Sequence, residues 1–275
     1  MPGRMKLHNR TAVVTGAASG IGQAIAVSLA RRGCHLALAD IHEEPLAQTA
    51  KLASLPGIRI SLHRLDVADR KAVASFPAIV MAEHGRVDIL VNNAGVALGG
   101  TFDQVSETDF EWLFEINFWG VVRMTRAFLP LLRASDDASL VNLSSLYGLI
   151  SPPGQTAYCA SKFAVRGFTQ SIRNELEGSN VGVTVVHPGG VATAIARNAR
   201  IPKGLFSAEE EARRRSAAEK LLRMPAEKAG EIIVRGIERR KLRVLVGIDA
   251  KIASCIERLA PVSYWKIFER LRPPR

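Results

Sequence analysis

The amino-acid sequence predicts an α/β fold, a doubly wound, seven-stranded parallel sheet with helices on both faces. Short β-branched segments alternate with amphipathic stretches of helical length, as they do in consecutive βαβ units. The candidate strands also carry nearly continuous apolar runs, such as Leu36–Ala39 and Ile89–Val91, which is typical of strands buried on both faces. No linker rich in Pro, Ser or Gly divides the chain, so residues 1–275 are predicted to form one domain.

The predicted elements follow one another in a regular order. Strands are expected at Thr11–Thr15, Cys34–Asp40, Ile58–Leu65, Ile89–Asn92, Ser139–Leu143, Val183–His187 and Leu242–Val246. Helices are expected between them, near residues 20–32, 43–54, 69–84, 106–134, 156–178 and 226–240.

Two segments depart from this rhythm. Residues 191–224 form a charged, helix-favouring insertion after the sixth strand, and we interpret it as a substrate lid because such insertions follow the carboxyl ends of strands. Residues 249–275 form an amphipathic extension that Pro261 is expected to divide into two short helices. Three interpretations of the extension remain open: it packs over the substrate mouth or a subunit interface, it lies in a membrane surface, or it closes the fold.

Composition and charge narrow the class of protein. The chain is 47% hydrophobic and 23% charged, which is typical of soluble globular proteins, and it shows no bilayer-length apolar run or signal-peptide pattern. Cys34, Cys159 and Cys255 are widely spaced, as expected for reduced thiols in a cytoplasmic protein. Residues 197–275 hold 20 of the 37 Lys and Arg residues but only 10 of the 26 Asp and Glu residues. This basic excess carries no recognised nucleic-acid motif, so binding to nucleic acid is not predicted.

A glycine-rich turn follows the first predicted strand, in the run Thr15-Gly16-Ala17-Ala18-Ser19-Gly20-Ile21-Gly22. Its glycines permit a tight turn and let the backbone approach a pyrophosphate, which the N-terminus of the next helix favours electrostatically. The candidate cofactor contacts of this turn are Gly16, Ser19, Gly20, Ile21 and Gly22.

Acidic residues end the next two predicted strands. Asp40 lies 18 residues after Gly22, where a carboxylate accepts hydrogen bonds from a ribose diol and repels a 2′-phosphate. No Arg or Lys stands beside Asp40 in the sequence, so NAD is favoured over NADP. Asp66 and Val67 follow the third strand and are candidates for the adenine edge, although Asp66 alone also fits a turn residue.

Tyr158 and Lys162 are four residues apart and therefore share one face of a predicted helix. A phenol with a pKa near 10 is a poor base at neutral pH, and a neighbouring ammonium is expected to lower that pKa. This would suit proton exchange with an alcohol or ketone oxygen. The pair alone is weak evidence, because Tyr and Lys at this spacing usually form a solvated face.

In combination these motifs resemble the short-chain dehydrogenase/reductase family over about residues 8–247. The resemblance implies a Rossmann-type fold and a catalytic tetrad of Asn117, Ser145, Tyr158 and Lys162. In that tetrad Tyr158 transfers a proton, Ser145 donates a hydrogen bond to the reacting oxygen, Lys162 also holds the nicotinamide ribose, and Asn117 supports a proton relay. It further implies cofactor contacts from Tyr158 and Lys162 and from Asn93, Ala94, Gly95, Pro188, Gly189, Val191 and Thr193.

The sequence therefore predicts a cytoplasmic, NAD-dependent oxidoreductase that interconverts an alcohol and a ketone or aldehyde, on an apolar substrate. The alternatives are an NADPH-dependent carbonyl reductase and, outside enzymes, a dinucleotide-binding sensor or scaffold. No metal is expected, because the six His residues show no ligand spacing. A homo-oligomer, dimer or tetramer, is expected from the resemblance, and peripheral membrane contact by the tail remains an alternative.

Overall fold

The computed structural model describes residues 3–202, 207–220 and 222–271. Its centre is, as predicted, a sheet of seven parallel strands. Their order is β3-β2-β1-β4-β5-β6-β7. The strands are β1 Thr11–Thr15, β2 His35–Asp40, β3 Ile60–Arg64, β4 Ile89–Asn92, β5 Ala138–Leu143, β6 Val181–Pro188 and β7 Arg243–Val246.

The strand order reverses between β1 and β4. The chain runs outward from β1 to β3, returns to place β4 beside β1, and then runs outward again to β7. A crevice opens at the carboxyl ends of the strands where such a reversal occurs, and ligands of open α/β sheets bind there. The glycine-rich turn after β1 and the segment after β4 meet at this point.

Helices cover both faces of the sheet. They are α1 Gly20–Ala30, α2 Glu43–Ala53, α3 Arg70–His84, α4 Glu107–Phe114, α5 Gly120–Ala134, α6 Thr156–Glu175, α7 Ala208–Glu219, α8 Ala226–Glu238, α9 Ile248–Leu259 and α10 Tyr264–Leu271. Ile25, Leu46 and Ile233 of α1, α2 and α8 belong to the core on one face, and Phe76 and Phe128 of α3 and α5 belong to the core on the other. Among the helices of the described residues, none combines the length and apolar character needed to cross a bilayer.

The long helix predicted over residues 106–134 is interrupted in its middle, around Asn117. It consists of α4, a π-helical turn at Glu115–Trp119, and α5. The side chain of the buried Asn117 bonds outside the helix, which is the kind of competing interaction that favours such a turn. The other boundaries differ from the predicted ones by at most three residues, the largest being the end of α6 at Glu175.

The two irregular segments contain the remaining helices. Within the predicted lid, α7 is the one described helix, and residues 203–206 and 221 lie outside the described part of the chain. The extension forms α9 and α10 on either side of Pro261, while residues 272–275 lie outside the description. Both of these helices pack near the segment that follows β5.

Candidate active site

The glycine-rich turn between β1 and α1 is closely packed. Gly16 and Gly20 have φ angles of +64° and +55°, which residues with a side chain rarely adopt. A Cβ on Gly22 would collide with the carbonyl oxygen of Gly16. Ser19 precedes the helix in extended conformation and does not cap it with its side chain. The N–H groups of the first turn of α1 are thus left for a ligand, and this arrangement fits a pyrophosphate.

Asn93 fixes the shape of this turn from the end of β4. Its side-chain amide donates to the carbonyl oxygens of Thr15 and Gly16 at 3.0 and 2.9 Å. The Thr15 hydroxyl in turn accepts from the backbone N–H groups of Asn93 and Ala94 at 3.0 and 3.1 Å. These contacts join the segments after β1 and β4, so Asn93 supports the geometry of the predicted cofactor site.

Gly95 lies next to two of the predicted catalytic residues, Asn117 and Lys162. A Cβ there would lie 3.1 Å from Oδ1 of Asn117 and 3.3 Å from Nζ of Lys162. Only a residue without a side chain therefore leaves both polar atoms within reach of the crevice.

Asp40 reaches the glycine turn from the end of β2. Its carboxylate accepts from the N–H of Ala18 at 3.0 Å and from the N–H of His42 at 3.1 Å. Arg64 of β3 is the register partner of Asp40. The cofactor argument from Asp40 considered sequence neighbours alone, and the pairing of β2 with β3 places the exposed Arg64, 24 residues away, on the adjacent strand.

Asp66 and Val67, which were predicted to lie at the adenine edge, make contacts with residues nearby in the fold. Asp66 accepts from the N–H of Ala68 at 2.9 Å and is exposed, as a turn residue would be. Val67 is buried against Gly120, where a Cβ would lie 2.7 Å from a Val67 methyl carbon. Their contact with an adenine stays a prediction.

A cavity of about 710 Å³ opens at the carboxyl ends of the strands. Ten predicted site residues line it: Ile21, Asn93, Gly95, Ser145, Tyr158, Lys162, Pro188, Gly189, Val191 and Thr193. The others surround it without lining it: Gly16, Ser19, Gly20, Gly22, Asp40, Asp66, Val67, Ala94 and Asn117. The cavity thus brings together three of the predicted catalytic residues and the predicted nicotinamide-side residues. It also takes in Asn93 and Gly95 of the predicted adenosine side, whereas Asn117 lies outside its lining.

Tyr158 lies on the inner face of α6 and is 8% exposed. Burial raises the pKa of Tyr158 to about 12, and a hydrogen bond with the Ser145 hydroxyl opposes this rise. Ser145 is held in turn by the N–H of Tyr147, which donates to its hydroxyl oxygen at 3.1 Å. Ser144 donates instead to the Lys162 carbonyl at 2.8 Å, so the structure assigns the cavity-facing hydroxyl to Ser145.

Lys162 stands behind Tyr158. Its Nζ lies 5.7 Å from the centroid of the Tyr158 ring and donates to the Leu143 carbonyl at 3.2 Å. Burial lowers the pKa of Lys162 to about 8, since desolvation disfavours the ammonium. The expected lowering of the Tyr158 pKa by this ammonium is not found in the protein alone, where burial is the largest influence on that pKa and the lowering contribution comes from Ser145.

Asn117 occupies the π-helical turn and is fully buried. Its Oδ1 accepts from the N–H of Val96 at 2.8 Å, and its Nδ2 donates to the Val96 carbonyl and to Ser161 Oγ at 3.0 and 3.2 Å. Asn117 therefore ties the segment after β4 to α6, which carries Tyr158 and Lys162. Its predicted part in a proton relay remains a prediction.

Three residues that sequence reasoning did not single out support the cavity. His187 donates from Nδ1 to the Ser145 carbonyl at 2.9 Å, and burial lowers its pKa to about 4, so the ring is neutral at pH 7. Asp249 of α9 lines the cavity and accepts from the N–H of Gly190 at 2.6 Å. Tyr264 of α10 accepts from the N–H of Ser151 at 3.0 Å.

The extension supports the segment after Ser145 by apolar packing as well. Leu149 and Ile150 are buried in a cluster with Ala253 of α9 and with Tyr264 and Phe268 of α10. No local signal marks these contacts, which join residues about 100 positions apart. The amphipathic pattern of the tail shows only that it buries one face.

Residues 10–203 match the family model of the short chain dehydrogenases. The protein named "Putative oxidoreductase SadH" of Mycobacterium tuberculosis is 42% identical over 262 residues, which cover 94% of each chain. The 3-oxoacyl-acyl-carrier-protein reductase FabG of Thermotoga maritima is 35% identical over 218 residues, covering 75% of this chain and 88% of that protein.

A solved structure also matches along nearly the whole length. The short chain dehydrogenase/reductase from Burkholderia phymatum, crystallised in complex with NAD, has a TM-score of 0.84 and 28% identity. The match covers 98% of both chains.

Proposed function

The chain belongs to the short-chain dehydrogenase family, and we propose that it interconverts an alcohol and a ketone or aldehyde with NAD, on an apolar substrate. The observation that carries this proposal is the pair of hydroxyl groups on Ser145 and Tyr158, hydrogen-bonded at the wall of the cavity with the Lys162 ammonium behind them. Two hydroxyls beside one another suit the recognition of a single carbonyl or alcohol oxygen.

When bound, a nicotinamide dinucleotide supplies the acceptor or donor of hydride. In our proposal the Ser145 hydroxyl donates a hydrogen bond to the substrate oxygen, and the Tyr158 hydroxyl transfers the proton. Lys162 has a buried ammonium with one N–H committed to Leu143, so its other N–H groups remain to hold ribose hydroxyls. Because the pKa of Tyr158 is about 12, the neutral phenol dominates at pH 7, and this favours proton donation to a carbonyl.

Asp40 supports the preference for NAD. Its carboxylate lies at the end of β2 against the glycine turn, where it would attract a ribose diol and repel a 2′-phosphate. Arg64 favours the alternative, an NADPH-dependent carbonyl reductase, because its guanidinium on the adjacent strand is of the type that pairs with phosphates. We favour NAD because Asp40 contacts the turn directly.

The cavity wall supports an apolar substrate. Leu98, Leu146, Ile195, Ile201 and Leu222 line it opposite the catalytic hydroxyls. Apolar side chains with a few placed polar groups are typical of sites for largely apolar small molecules. Residues 191–224 contribute Ile195, Ile201 and Leu222 to this wall, which supports their proposed role as a lid.

The setting we propose is the cytoplasm, with the chain assembled as a homodimer or homotetramer. Family resemblance and composition support both points. The non-enzyme alternative, a dinucleotide-binding sensor or scaffold, is disfavoured by the complete set of Asn117, Ser145, Tyr158 and Lys162.

A turnover screen tests the proposal. The purified chain is assayed with NAD and with NADP on secondary alcohols of increasing apolar size, and with NADH and NADPH on the matching ketones. We expect turnover to increase with apolar size and to prefer NAD. Turnover confined to small polar alcohols would contradict the apolar substrate, a preference for NADPH would select the alternative, and dinucleotide binding without any turnover would select the sensor.

A further inference from the structure

A basic groove of about 520 Å³ lies on the side of the molecule opposite the β3 edge, between α8, β7 and α9. No acidic residue lines it, and its six charged side chains are all cations: Lys228, Arg235, Arg239, Lys241, Arg243 and Lys251. Six of the 20 Lys and Arg residues of the C-terminal part of the chain thus meet at one place on the surface.

The nearby acids are directed elsewhere. Glu231 and Glu238 of α8 pair with Arg32 of α1 at 2.8 and 3.0 Å, and Asp249 of α9 binds the N–H of Gly190. Glu231 also contacts Arg235 at 2.6 Å. The other five cations of the groove form no ion pair with any residue in the described part of the chain, so the groove keeps most of its positive charge.

An exposed apolar stripe runs along α9 beside this groove. Ile248, Ile252 and Leu259 are 70%, 49% and 80% exposed, and their spacing of four and seven residues places them on one side of the helix. The opposite side carries Ala250 and Ala253, which are buried against the protein. Val262, in the turn after α9, is 96% exposed. The stripe is therefore the side of α9 that the described protein leaves in contact with water.

We propose that this basic–apolar face, formed by the six cations together with Ile248, Ile252, Leu259 and Val262, docks on an anionic phospholipid bilayer. Aliphatic side chains can enter the boundary between headgroups and acyl chains while Lys and Arg meet the lipid phosphates. An anionic bilayer can bind both parts of this face, the cations through its phosphates and the aliphatic side chains through its acyl chains.

Two other occupants fit the face less well. A second copy of the chain, placed by two-fold symmetry, would bring two such sets of cations together, which is electrostatically unfavourable. A nucleic acid would use the cations but would gain nothing from three exposed aliphatic side chains on α9. The anionic bilayer alone uses both parts of the face.

The face adjoins the catalytic cavity through the first turn of α9. Ile248 lines the basic groove and the next residue, Asp249, lines the cavity. Docking would therefore hold the cavity beside the bilayer, where apolar molecules are concentrated. The docking itself does not depend on the reaction that the cavity performs.

Vesicle co-sedimentation of the full-length protein, without cofactor or substrate, tests the proposal. The vesicles are phosphatidylcholine alone, or equal parts of phosphatidylcholine and phosphatidylglycerol. We expect binding to the anionic vesicles only, weakening as salt is added. Arg239→Glu with Lys251→Glu should weaken it by at least roughly 20-fold, because each Lys or Arg near an anionic surface contributes about fivefold. Ile248→Glu with Leu259→Glu should weaken it as well, because it replaces two aliphatic contacts with carboxylates that an anionic surface repels.

Matched controls lie at the opposite edge of the sheet. Arg64→Glu with Lys71→Glu makes the same change in net charge on exposed residues near β3, and Leu52→Glu changes an exposed apolar residue of α2. Both controls should bind anionic vesicles as the unaltered protein does, and thermal melting checks that every variant is folded. Dinucleotide turnover is measured separately, so a failure of docking and a failure of the proposed function can be told apart.

Several outcomes would overturn the proposal. They are no binding to anionic vesicles, equal binding to neutral vesicles, and equal losses in the control variants. Sedimentation velocity adds a further one: if Ile248→Glu with Leu259→Glu dissociates an oligomer of the unaltered protein, the face belongs to a second copy. Tight binding to double-stranded DNA that only the Arg239→Glu with Lys251→Glu variant loses would assign the face to nucleic acid.

Discussion

The cofactor side and the substrate side of the cavity are held in different ways. On the cofactor side, hydrogen bonds between side chains and backbone fix the glycine turn, with Asn93 and Asp40 as the main contributors. On the substrate side, the segment 146–151 rests on α9 and α10 through apolar packing and one hydrogen bond from Ser151 to Tyr264. The first arrangement tolerates few substitutions, whereas the second can change with the size of the packed side chains.

The distribution of charge follows the same division. Residues 1–196 hold 17 Lys and Arg residues and 16 Asp and Glu residues, and almost the whole net charge belongs to the remainder. The N-terminal part of the chain therefore supplies most of the predicted cofactor site. The C-terminal part supplies some of the cavity wall and the basic outer surface. Variants on the two sides should therefore differ in which parameter they change.

The largest effect is expected when the Tyr158 hydroxyl is removed, compared with removal of the Tyr264 hydroxyl beside the substrate side of the cavity. Tyr158→Phe should lower kcat by about 10²–10⁴-fold, because it removes the proposed proton donor, and should change the Kd for NAD by less than about twofold. Steady-state kinetics and fluorescence titration of NAD measure the two. Tyr264→Phe is the matched control, since it removes a hydroxyl from the substrate wall, and its kcat should stay close to that of the unaltered protein. Retained turnover in Tyr158→Phe would refute the assignment.

Lys162→Met tests the buried ammonium. Because burial lowers the pKa of Lys162 from 10.5 to about 8, the unfolded chain holds this proton between those pH values while the folded protein has released it. The free energy of unfolding of the unaltered protein should therefore rise with pH across this window, by about 3 kcal/mol relative to Lys162→Met. Urea denaturation at several pH values measures the difference.

Lys71→Met is the control for that experiment, because Lys71 is exposed. Its free energy of unfolding should follow that of the unaltered protein over the same pH window. The free energies of unfolding of Lys162→Met and of the unaltered protein could instead differ by the same amount at every pH. That result would mean that burial does not desolvate Lys162.

Asp40→Ala tests the cofactor side without touching the catalytic residues. We expect the Kd for NAD to increase about tenfold, since a charged hydrogen-bond acceptor for the ribose is lost, and the Kd for NADP to decrease. Asp66→Ala removes a carboxylate from the end of the neighbouring strand and should leave the ratio of the two Kd values unchanged. Combining Asp40→Ala with Arg64→Gln shows whether Arg64 holds the 2′-phosphate, because the gain in NADP affinity should then disappear.

The smallest effect is expected on the substrate wall. Tyr264→Phe removes one hydrogen bond to the 146–151 segment, and we expect KM for bulky apolar substrates to rise by about fivefold, from a loss of about 1 kcal/mol. The Kd for NAD should not change, and Leu52→Ala, at an exposed position on α2, should change neither value. An increase in the Kd for NAD would show that the two sides of the cavity are coupled more closely than their contacts indicate.

The sequence determined the order of elements and the position of the crevice. Seven short apolar segments alternate with amphipathic ones, and this order allows few arrangements besides a parallel sheet. Each segment can be assigned to a strand or a helix from the spacing of apolar residues within about ten positions. The glycine turn and the shared face of Tyr158 and Lys162 are local as well, because backbone geometry alone brings their atoms together. These features of the candidate site were therefore predictable.

Tertiary structure decided the rest. Arg64 is the register partner of Asp40 on the neighbouring strand, and Tyr264 bonds to Ser151 across 113 residues. No periodicity of the sequence carries information over such separations. The sign of the Tyr158 pKa shift was also decided there, since an ammonium four residues away was expected to lower that pKa, whereas burial raises it. The first effect depends on a spacing that the sequence displays. The second depends on how much water the folded protein excludes from the phenol, which is settled only when the helices pack on the sheet.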